Sequence, residues 1–262
     1  MTRFAYPAPQ SIKKVRLGGM AIAVASRQEA AQHLIDAAKA KAPGAKPQYI
    51  TSANGQVLSM AARDPDIRAL FEQADLVHAD GQPMVVASRK YCTTPLPERV
   101  ATTDLVHDTA KLAQEQGASF YIFGAIEEIN ARATDNLKAL YPNLIIAGRR
   151  NGYFSLEQEA DVVAQINAAR PDIVWVSLGV PLEQRFILRN LDKLTGAGVI
   201  KTSGGMLDFL AGERSRAPQW MQDLSLEWLY RTWLEPTRLG PRYLSTNFHA
   251  AYLLARQSGD IV

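Results

Sequence analysis

The fold is decided by the stretch IVWVSLGVPLEQ, residues 173–184, in which a continuous apolar run leads through glycine and proline into a polar segment. An apolar run of this length, bounded by turn residues, is typical of a strand that is buried on both faces. The polar segment that begins at Glu183 predicts a helix directly after that strand. A strand followed by a helix is the repeating unit of a parallel sheet.

The same alternation extends along the chain on both sides of this stretch. Further apolar runs predict strands at residues 20–24, 48–52, 76–79, 120–123, 144–147 and 199–202. Helices are predicted at residues 26–41, 56–63, 66–74, 104–116, 127–140, 157–169 and 183–194. The chain is therefore predicted to be an α/β protein with a Rossmann-like, mostly parallel sheet and helices on both faces.

The composition excludes several classes of protein. Apolar residues make up 47% of the 262 residues and charged residues 21%, as in a globular protein with a substantial core. The net charge of +3 is too small to indicate nucleic-acid binding, and the single cysteine, Cys92, excludes an internal disulfide. No apolar stretch approaches the roughly 18 residues needed to cross a bilayer, so any membrane contact is expected to be peripheral.

The composition changes near Glu213. Beyond Lys201 the chain contains no lysine, whereas arginine and tryptophan continue. Two prolines at 236 and 241 predict two helices, at residues 218–234 and 241–256. We therefore divide the chain into an α/β domain, residues 1–212, and a helical appendage, residues 213–262, in which Trp228 and Trp233 are interpreted as core side chains.

Ligands of parallel sheets bind beyond the carboxyl ends of the strands. Asp80 follows a predicted strand there and precedes a glycine, so its carboxylate can take a proton from a ligand hydroxyl, although Asp-Gly is also a common turn. Ser52 and Asn54 follow the preceding strand. They can hold a sugar or, alternatively, cap the next helix.

Glycine-containing segments follow three other strands, at Gly124, Gly179 and Gly204-Gly205. Backbone amides at the start of a helix can bind phosphate, and Glu183 and Gln184 can hydrogen-bond a base or ribose. Ordinary strand-to-helix turn chemistry explains these segments equally well. No G-x-G-x-x-G fingerprint opens a helix, which counts against a dinucleotide site.

The appendage has residues suited to phosphate and to a membrane surface. The planar guanidinium group matches phosphate oxygens, and tryptophan is common at membrane interfaces. The arginines concerned are Arg214, Arg216, Arg231, Arg238 and Arg242. The alternative is a helical pair that packs on the α/β domain and leaves its arginines in solvent.

A long ordered series of motifs resembles one known family. The motifs are ADLVHADG (74–81), LPERV (96–100), NGYF (151–154), LDFLAG (207–212), RAPQWM (216–221) and LEWLYR (226–231). Together they resemble the WecG/TagA/CpsF family, glycosyltransferase family 26. The resemblance extends from about Met20 to Tyr243.

The resemblance implies an inverting transferase that moves a sugar from a UDP-sugar donor to a polyprenyl-diphosphate-linked sugar in cell-surface polysaccharide biosynthesis. It implies that Asp80 is the general base and that Asn54, together with Ser52 or Thr51, and Arg99 contact the acceptor. Gly124, Gly179, Glu183, Gln184, Gly204 and Gly205 are expected on the donor side. The appendage arginines are expected to hold the diphosphate at the membrane.

The resemblance also sets expectations for cofactors and location. No cofactor, metal ion or nucleic acid is expected, and a homo-oligomer is left open. The chain is expected to be cytoplasmic and peripheral on the inner face of the bacterial cell membrane.

The departures from the family pattern lie on the donor side. The family usually has Pro-x-Gln-Glu where this chain has Pro181-Leu182-Glu183-Gln184, and it often has further glycines where this chain has Ala125-Ile126. The identity of the donor sugar therefore stays open between N-acetylmannosamine, its uronic acid and glucose. Two other functions stay open at this point: a Rossmann-like oxidoreductase, and a non-catalytic, membrane-recruited nucleotide-binding protein.

Overall fold

The computed structural model describes residues 12–218, 220–221 and 226–261, and only the backbone of residues 231, 238–239 and 241–244. Its strands are β1 Lys14–Leu17, β2 Met20–Ala23, β3 Gln48–Ala53, β4 Leu76–Ala79, β5 Ser119–Gly124, β6 Ile145–Arg150, β7 Ile173–Ser177, β8 Val199–Thr202 and β9 Gly259–Asp260. Most of these strands begin and end within two residues of the apolar runs that predicted them.

The helices follow the strands in the predicted alternation. They are α1 Arg27–Ala40, α2 Gly55–Arg63, α3 Pro65–Glu72, α4 Gln82–Tyr91, α5 Thr102–Gln116, α6 Glu127–Leu140, α7 Glu159–Ala169, α8 Leu182–Asn190, α9 Met206–Leu210, α10 Glu227–Leu234 and α11 Pro236–Arg256. A short 3-10 helix, Leu156–Gln158, precedes α7.

The main sheet has six strands in the order β4-β3-β8-β7-β5-β6. The pairings of β3 with β8, of β7 with β8, and of β5 with β6 and β7 are parallel. Every residue of β5, β7 and β8 is buried, and the rings of Phe120 and Trp175 pack edge to face 5.7 Å apart. The predicted Rossmann-like α/β fold is confirmed.

A second, smaller sheet was not predicted. Its strands are ordered β2-β1-β9 and paired antiparallel, with Gly18-Gly19 connecting β1 to β2. The apolar run at residues 20–24 is therefore a strand of this sheet, and its expected place in the parallel sheet was wrong. The run Lys14–Leu17 alternates exposed and buried residues, which is the pattern of a half-buried antiparallel strand.

The contacts divide the chain into two compact units. Among the described residues, unit 1 contains residues 28–50 and 102–214, and unit 2 contains residues 12–27, 51–101 and 215–261. The core of unit 1 includes Phe123, whose ring centroid lies 5.1 Å from that of Phe186. The predicted boundary between residues 212 and 213 stays a prediction.

The predicted break at Pro241 is wrong. Helix α11 begins at Pro236, in the first turn where a missing backbone N–H costs nothing, and it continues through residue 241. Within unit 2 this helix is fixed to α2, because His249 Nδ1 lies 2.9 Å from Ser59 Oγ and Arg63 donates to the Ser245 carbonyl. These contacts offset the cost of an internal proline.

Candidate active site

Asp80 and Asn54 lie side by side at the carboxyl ends of β4 and β3, in unit 2. The backbone N–H of Asp80 donates to the Ala53 carbonyl at 2.8 Å. A Cβ built on Gly81 would lie 3.6 Å from Asn54 Cβ, so the two chain segments approach closely. Asp80 itself is half-buried.

Asn54 is the N-cap of α2, as the structural alternative proposed. Its Oδ1 accepts a hydrogen bond from the Val57 amide at 3.1 Å. The cap uses the side-chain oxygen, and contact of Asn54 with an acceptor stays a prediction. Ser52 is half-buried two residues earlier on β3.

Arg99 is brought to the same edge by the loop between α4 and α5. The Val100 amide donates to the Ala79 carbonyl at 2.7 Å, which places Arg99 next to the strand end that leads into Asp80. Its Nη1 lies 2.9 Å from Glu227 Oε2, at the start of α10. The predicted base Asp80 and the predicted acceptor residues Ser52, Asn54 and Arg99 all belong to unit 2.

Glu227 was missed by the sequence analysis as a candidate functional residue. Its Oε2 lies 2.9 Å from Arg99 and 4.0 Å from Arg216 Nη2, so one carboxylate stands between two arginines of the predicted acceptor and diphosphate sets. The only signal in the sequence was its position inside the LEWLYR motif. A glutamate in the first turn of a helix is otherwise explained by the helix dipole.

The predicted donor residues all belong to unit 1, at the carboxyl ends of β5, β7 and β8: Gly124 ends β5, Gly179, Gly204 and Gly205 lie in the loops after β7 and β8, and Glu183 and Gln184 lie in the first turn of α8. The Ala125 amide donates to the Ser177 carbonyl at 3.1 Å, and the Ser203 amide donates to the Val176 carbonyl at 2.7 Å. The hydroxyl groups of Ser177 and Ser203 are 2.6 Å apart and buried. The bases of the three loops are therefore connected by short hydrogen bonds.

Backbone conformation explains the glycines of these loops. Gly179 and Gly204 have φ values of +79° and +53°, and a Cβ on either would meet no atom within 4 Å. Glycine is favoured there by its left-handed conformation, with open space around it. At Gly124, by contrast, a Cβ would lie 2.2 Å from the Ser177 carbonyl oxygen, so that position has no room for a side chain.

Glu183 and Gln184 are both buried, at 2% and 0% exposure. Glu183 Oε2 accepts from the Gly204 amide at 3.0 Å, and Gln184 Nε2 lies 3.4 Å from Glu183 Oε1. Burial raises the pKa of the Glu183 carboxyl to about 7, opposed by backbone hydrogen bonds from Gly204, Gly179 and Leu178 and by the Lys201 charge. Direct contact of either side chain with a nucleotide stays a prediction.

Arg214 belongs with the donor loops. Its Nη2 lies 3.2 Å from Asp208 Oδ2, and a Cβ on Gly205 would lie 3.4 Å from its Nη1. Arg216, only two residues later, belongs to unit 2 and lies near Glu227. The five arginines that were predicted as one set are thus divided between the units.

The other appendage predictions have different outcomes. Arg231 lies in α10, and Arg238 and Arg242 lie in α11, but their side chains fall outside the described residues. The interpretation of Trp228 and Trp233 as core residues was wrong, because they are 36% and 76% exposed on α10.

In the part of the chain that the structure describes, no group of three or more His, Cys, Asp or Glu side chains is arranged to hold a metal ion. The one Asp-x-Asp pattern, Asp64-Pro65-Asp66, caps α3 through Asp64 Oδ1. No helix there is long and apolar enough to cross a bilayer.

Comparison with known proteins gives the family. The model of the WecG/TagA/CpsF glycosyl transferase family matches residues 15–260. The chain belongs to this family. Similar proteins include the N-acetylglucosaminyldiphosphoundecaprenol N-acetyl-beta-D-mannosaminyltransferases of Staphylococcus aureus strains MRSA252, NCTC 8325 / PS 47 and COL. Each is 30% identical over 192 residues, which cover 73% of this chain and 74% of the relative.

Membership of the WecG/TagA/CpsF family decides between the broad alternatives. It confirms the resemblance that the motifs indicated, and it assigns the chain to a family of glycosyltransferases rather than of oxidoreductases. The roles of the individual site residues stay predictions, because the family match assigns no role to any residue.

Proposed function

We propose that this WecG/TagA/CpsF family member transfers a hexose, an N-acetylhexosamine or its uronic acid from a UDP-sugar to a polyprenyl-diphosphate-linked sugar, with inversion at the anomeric carbon. The observation that carries the proposal is the half-buried Asp80 carboxylate beside Asn54 and next to the segment of Arg99. The relatives' names, which specify a lipid-diphosphate-linked N-acetylglucosamine as acceptor, support the acceptor class.

Asp80 acts as the general base of the proposed reaction. Its carboxylate takes the proton of the attacking acceptor hydroxyl as that oxygen forms a bond to the anomeric carbon of the donor sugar. The bond between the anomeric carbon and the UDP oxygen breaks on the opposite face, which inverts the configuration. The Asn54 side chain and Arg99, on the two chain segments that bond to the β4 end, hold the acceptor.

The charge that develops on the UDP leaving group requires stabilisation. Arg214, next to Gly205, is a suitable cation, and the loops of Gly179 and Gly204 offer the backbone conformation that close approach of a phosphate requires. We therefore propose that unit 1 binds the donor and unit 2 binds the acceptor. We expect the reaction to require no metal ion.

The appendage is proposed to bring the enzyme to its lipid-linked acceptor. Helices α10 and α11 carry exposed large apolar side chains, namely Trp228, Leu229, Trp233, Leu234, Phe248 and Tyr252. Aromatic side chains of this kind are stable at the boundary between lipid headgroups and acyl chains. Together with the arginines of the appendage, they support peripheral membrane association.

The experiment that tests the function is a donor screen. Purified protein is incubated with a short-chain polyprenyl-diphosphate N-acetylglucosamine and, in turn, with UDP-linked N-acetylmannosamine, N-acetylmannosaminuronic acid, N-acetylglucosamine and glucose, with a chelator present. We expect transfer from one donor, and a product with inverted anomeric configuration by NMR. Liposome binding without transfer from any donor would contradict the proposal and favour the non-catalytic alternative.

A further inference from the structure

Glu183 is a buried carboxylate that the proposed reaction does not use. It is 2% exposed, lies in the first turn of α8, and follows the loop of Gly179. We infer that Glu183 is a positioning residue for the donor site: it holds the Gly179 and Gly204 loops together by accepting their backbone N–H groups, and it does not contact the nucleotide. The inference rests on the proposed donor-binding role of these two loops.

The hydrogen bonds of Glu183 reach both loops. The Gly204 amide donates to its Oε2 at 3.0 Å, and the amides of Gly179 and Leu178 also donate to the carboxylate. An ionised carboxylate only accepts hydrogen bonds, and it accepts on both oxygens. One side chain can therefore hold the loop after β7 and the loop after β8 at the same time.

Burial leaves Glu183 little access to a ligand. Its neighbour on the helix, Gln184, is fully buried, and Lys201 on β8 is fully buried as well. The Lys201 charge stabilises the ionised carboxylate from the protein interior, while Lys201 Nζ donates to the Thr202 carbonyl at 2.8 Å. A side chain surrounded in this way acts on the donor through the backbone that it fixes.

Replacing Glu183 by glutamine tests this positioning directly. Glutamine has nearly the same shape, but one of its two terminal groups is an NH₂ donor, which cannot accept from a backbone amide. At about pH 8, above the raised pKa of Glu183, we expect Glu183→Gln in the full chain to bind UDP about tenfold more weakly, as the loss of one charge-assisted hydrogen bond predicts. Amide hydrogen exchange at Gly179 or Gly204 should become faster, and the KM for the acceptor should not change.

A comparison of UDP with uridine separates positioning from direct contact. If Glu183 fixes loops that hold the phosphates, the variant loses affinity for UDP and keeps its affinity for uridine, measured by calorimetry. If Glu183 bonds the base or ribose, both affinities fall by the same factor, and the inference is overturned. Glu159→Gln is the matched control, because Glu159 is a buried carboxylate of unit 1 bonded to Arg189 and Asn190; we expect it to bind UDP normally.

The outcomes also separate this inference from the proposed function. Unchanged exchange and unchanged UDP affinity in Glu183→Gln would overturn the inference and leave the proposed function standing. A wild-type protein that binds no UDP would contradict the proposed donor, while faster loop exchange in the variant would still show that Glu183 holds the loops. If the glutamine variant does not fold, Glu183→Asp, which shortens the reach by one methylene, is expected to give the same changes, and its wild-type behaviour would overturn the inference.

Discussion

Asp80 and Glu183 both follow strands of the main sheet, but they differ in how deeply they are buried. Asp80 is half-buried at the end of β4, where it can meet a ligand and exchange a proton. Glu183 lies after β7 at 2% exposure, with its oxygens directed to backbone amides. The same chemical group is therefore suited to catalysis in one place and to fixing loops in the other.

The pH dependence of stability reports on Glu183. The folded protein binds the proton of the Glu183 carboxyl more tightly than the unfolded chain does, because folding raises the pKa of this carboxyl from 4.5 to about 7. The stabilisation is fully present below the unfolded pKa and is lost as pH rises through about 7. As the pH rises from about 4 to about 8, wild type should lose on the order of 3 kcal/mol of unfolding free energy, measured by urea unfolding. Glu183→Gln has no group that titrates at this position, so it should not show this loss.

Glu159 provides a control of opposite sign. Hydrogen bonding to Arg189 lowers the pKa of the Glu159 carboxyl, so its stabilisation is present above the unfolded pKa and is lost as pH falls. Glu159→Gln should therefore lose stability relative to wild type as pH rises through the acidic range. Parallel pH profiles for wild type and Glu183→Gln would show that Glu183 does not titrate as described.

Ala125 occupies a backbone conformation that favours glycine. Its φ is +55°, in the left-handed region, immediately after Gly124. An alanine in this region costs roughly 1–2 kcal/mol. Ala125→Gly should stabilise the protein by about 1 kcal/mol in urea unfolding, after allowing for the greater entropy of glycine in the unfolded chain.

The matched control for Ala125 is Ala133, a buried residue inside α6. Ala133→Gly should destabilise by about 1 kcal/mol or more, because helical φ values give glycine no advantage. Destabilisation of similar size in both variants would contradict the assigned conformation of Ala125.

At the scale of elements, α10 and α11 present a testable membrane surface. Trp233 and Phe248 are each 76% exposed, and neither contributes to a core. Replacing both with alanine should weaken association with anionic liposomes at least tenfold in a sedimentation assay, because two aromatic side chains no longer enter the interface. Higher salt should weaken the binding of wild type as well, since arginine contributes electrostatically.

Tyr153→Ala serves as the control for this surface. Tyr153 is 73% exposed but lies in unit 1, outside the appendage. The Tyr153→Ala variant should associate with liposomes as wild type does. If Tyr153→Ala and the double variant lose liposome binding equally, or if the double variant loses none, α10 and α11 do not form the membrane surface.

Helix α11 also shows why some elements escape prediction. Local rules end a helix at Pro241, yet the helix continues because distant residues of unit 2, such as Ser59 and Arg63, bond to its later turns. Helices α4 and α9 and strands β1 and β9 were not predicted either. Strand β9 has only two residues, and its pairing with β1 joins segments far apart in the chain.

For the whole molecule, the sequence predicted the parallel sheet because its strands are apolar on both faces. The predicted bounds of β4 and β8 agree with the observed ones. Both strands are buried on both faces, so each appears in the sequence as one continuous run without alternating polar residues. The position of Asp80 and Asn54 directly after two of the strands also followed from this rule. The role of Glu183 could not be predicted, because its burial depends on β8 and the Gly204 loop, which follow it in the chain.

The division into two units separates the predicted donor residues from the predicted base and acceptor residues, and the sequence did not predict this separation. The predicted donor residues, together with Arg214, fall in unit 1, and Asp80 with the predicted acceptor residues falls in unit 2. Residues 51–101 and 215–261 belong to one unit although they are distant in sequence, so the helices α10 and α11 and the predicted acceptor residues lie in the same compact unit. An ion pair between Glu227 and Arg99 connects these two segments.

The central claim is that Asp80 is the base of a sugar transfer, and the most direct test is turnover of Asp80→Asn beside Asp75→Asn. Asp75 lies just before β4, at the opposite end of the same strand, and is exposed. We predict that Asp80→Asn folds and binds UDP as wild type does, while its kcat falls by roughly 10²–10⁴-fold, and that Asp75→Asn turns over normally. Near-normal turnover by Asp80→Asn would contradict the account.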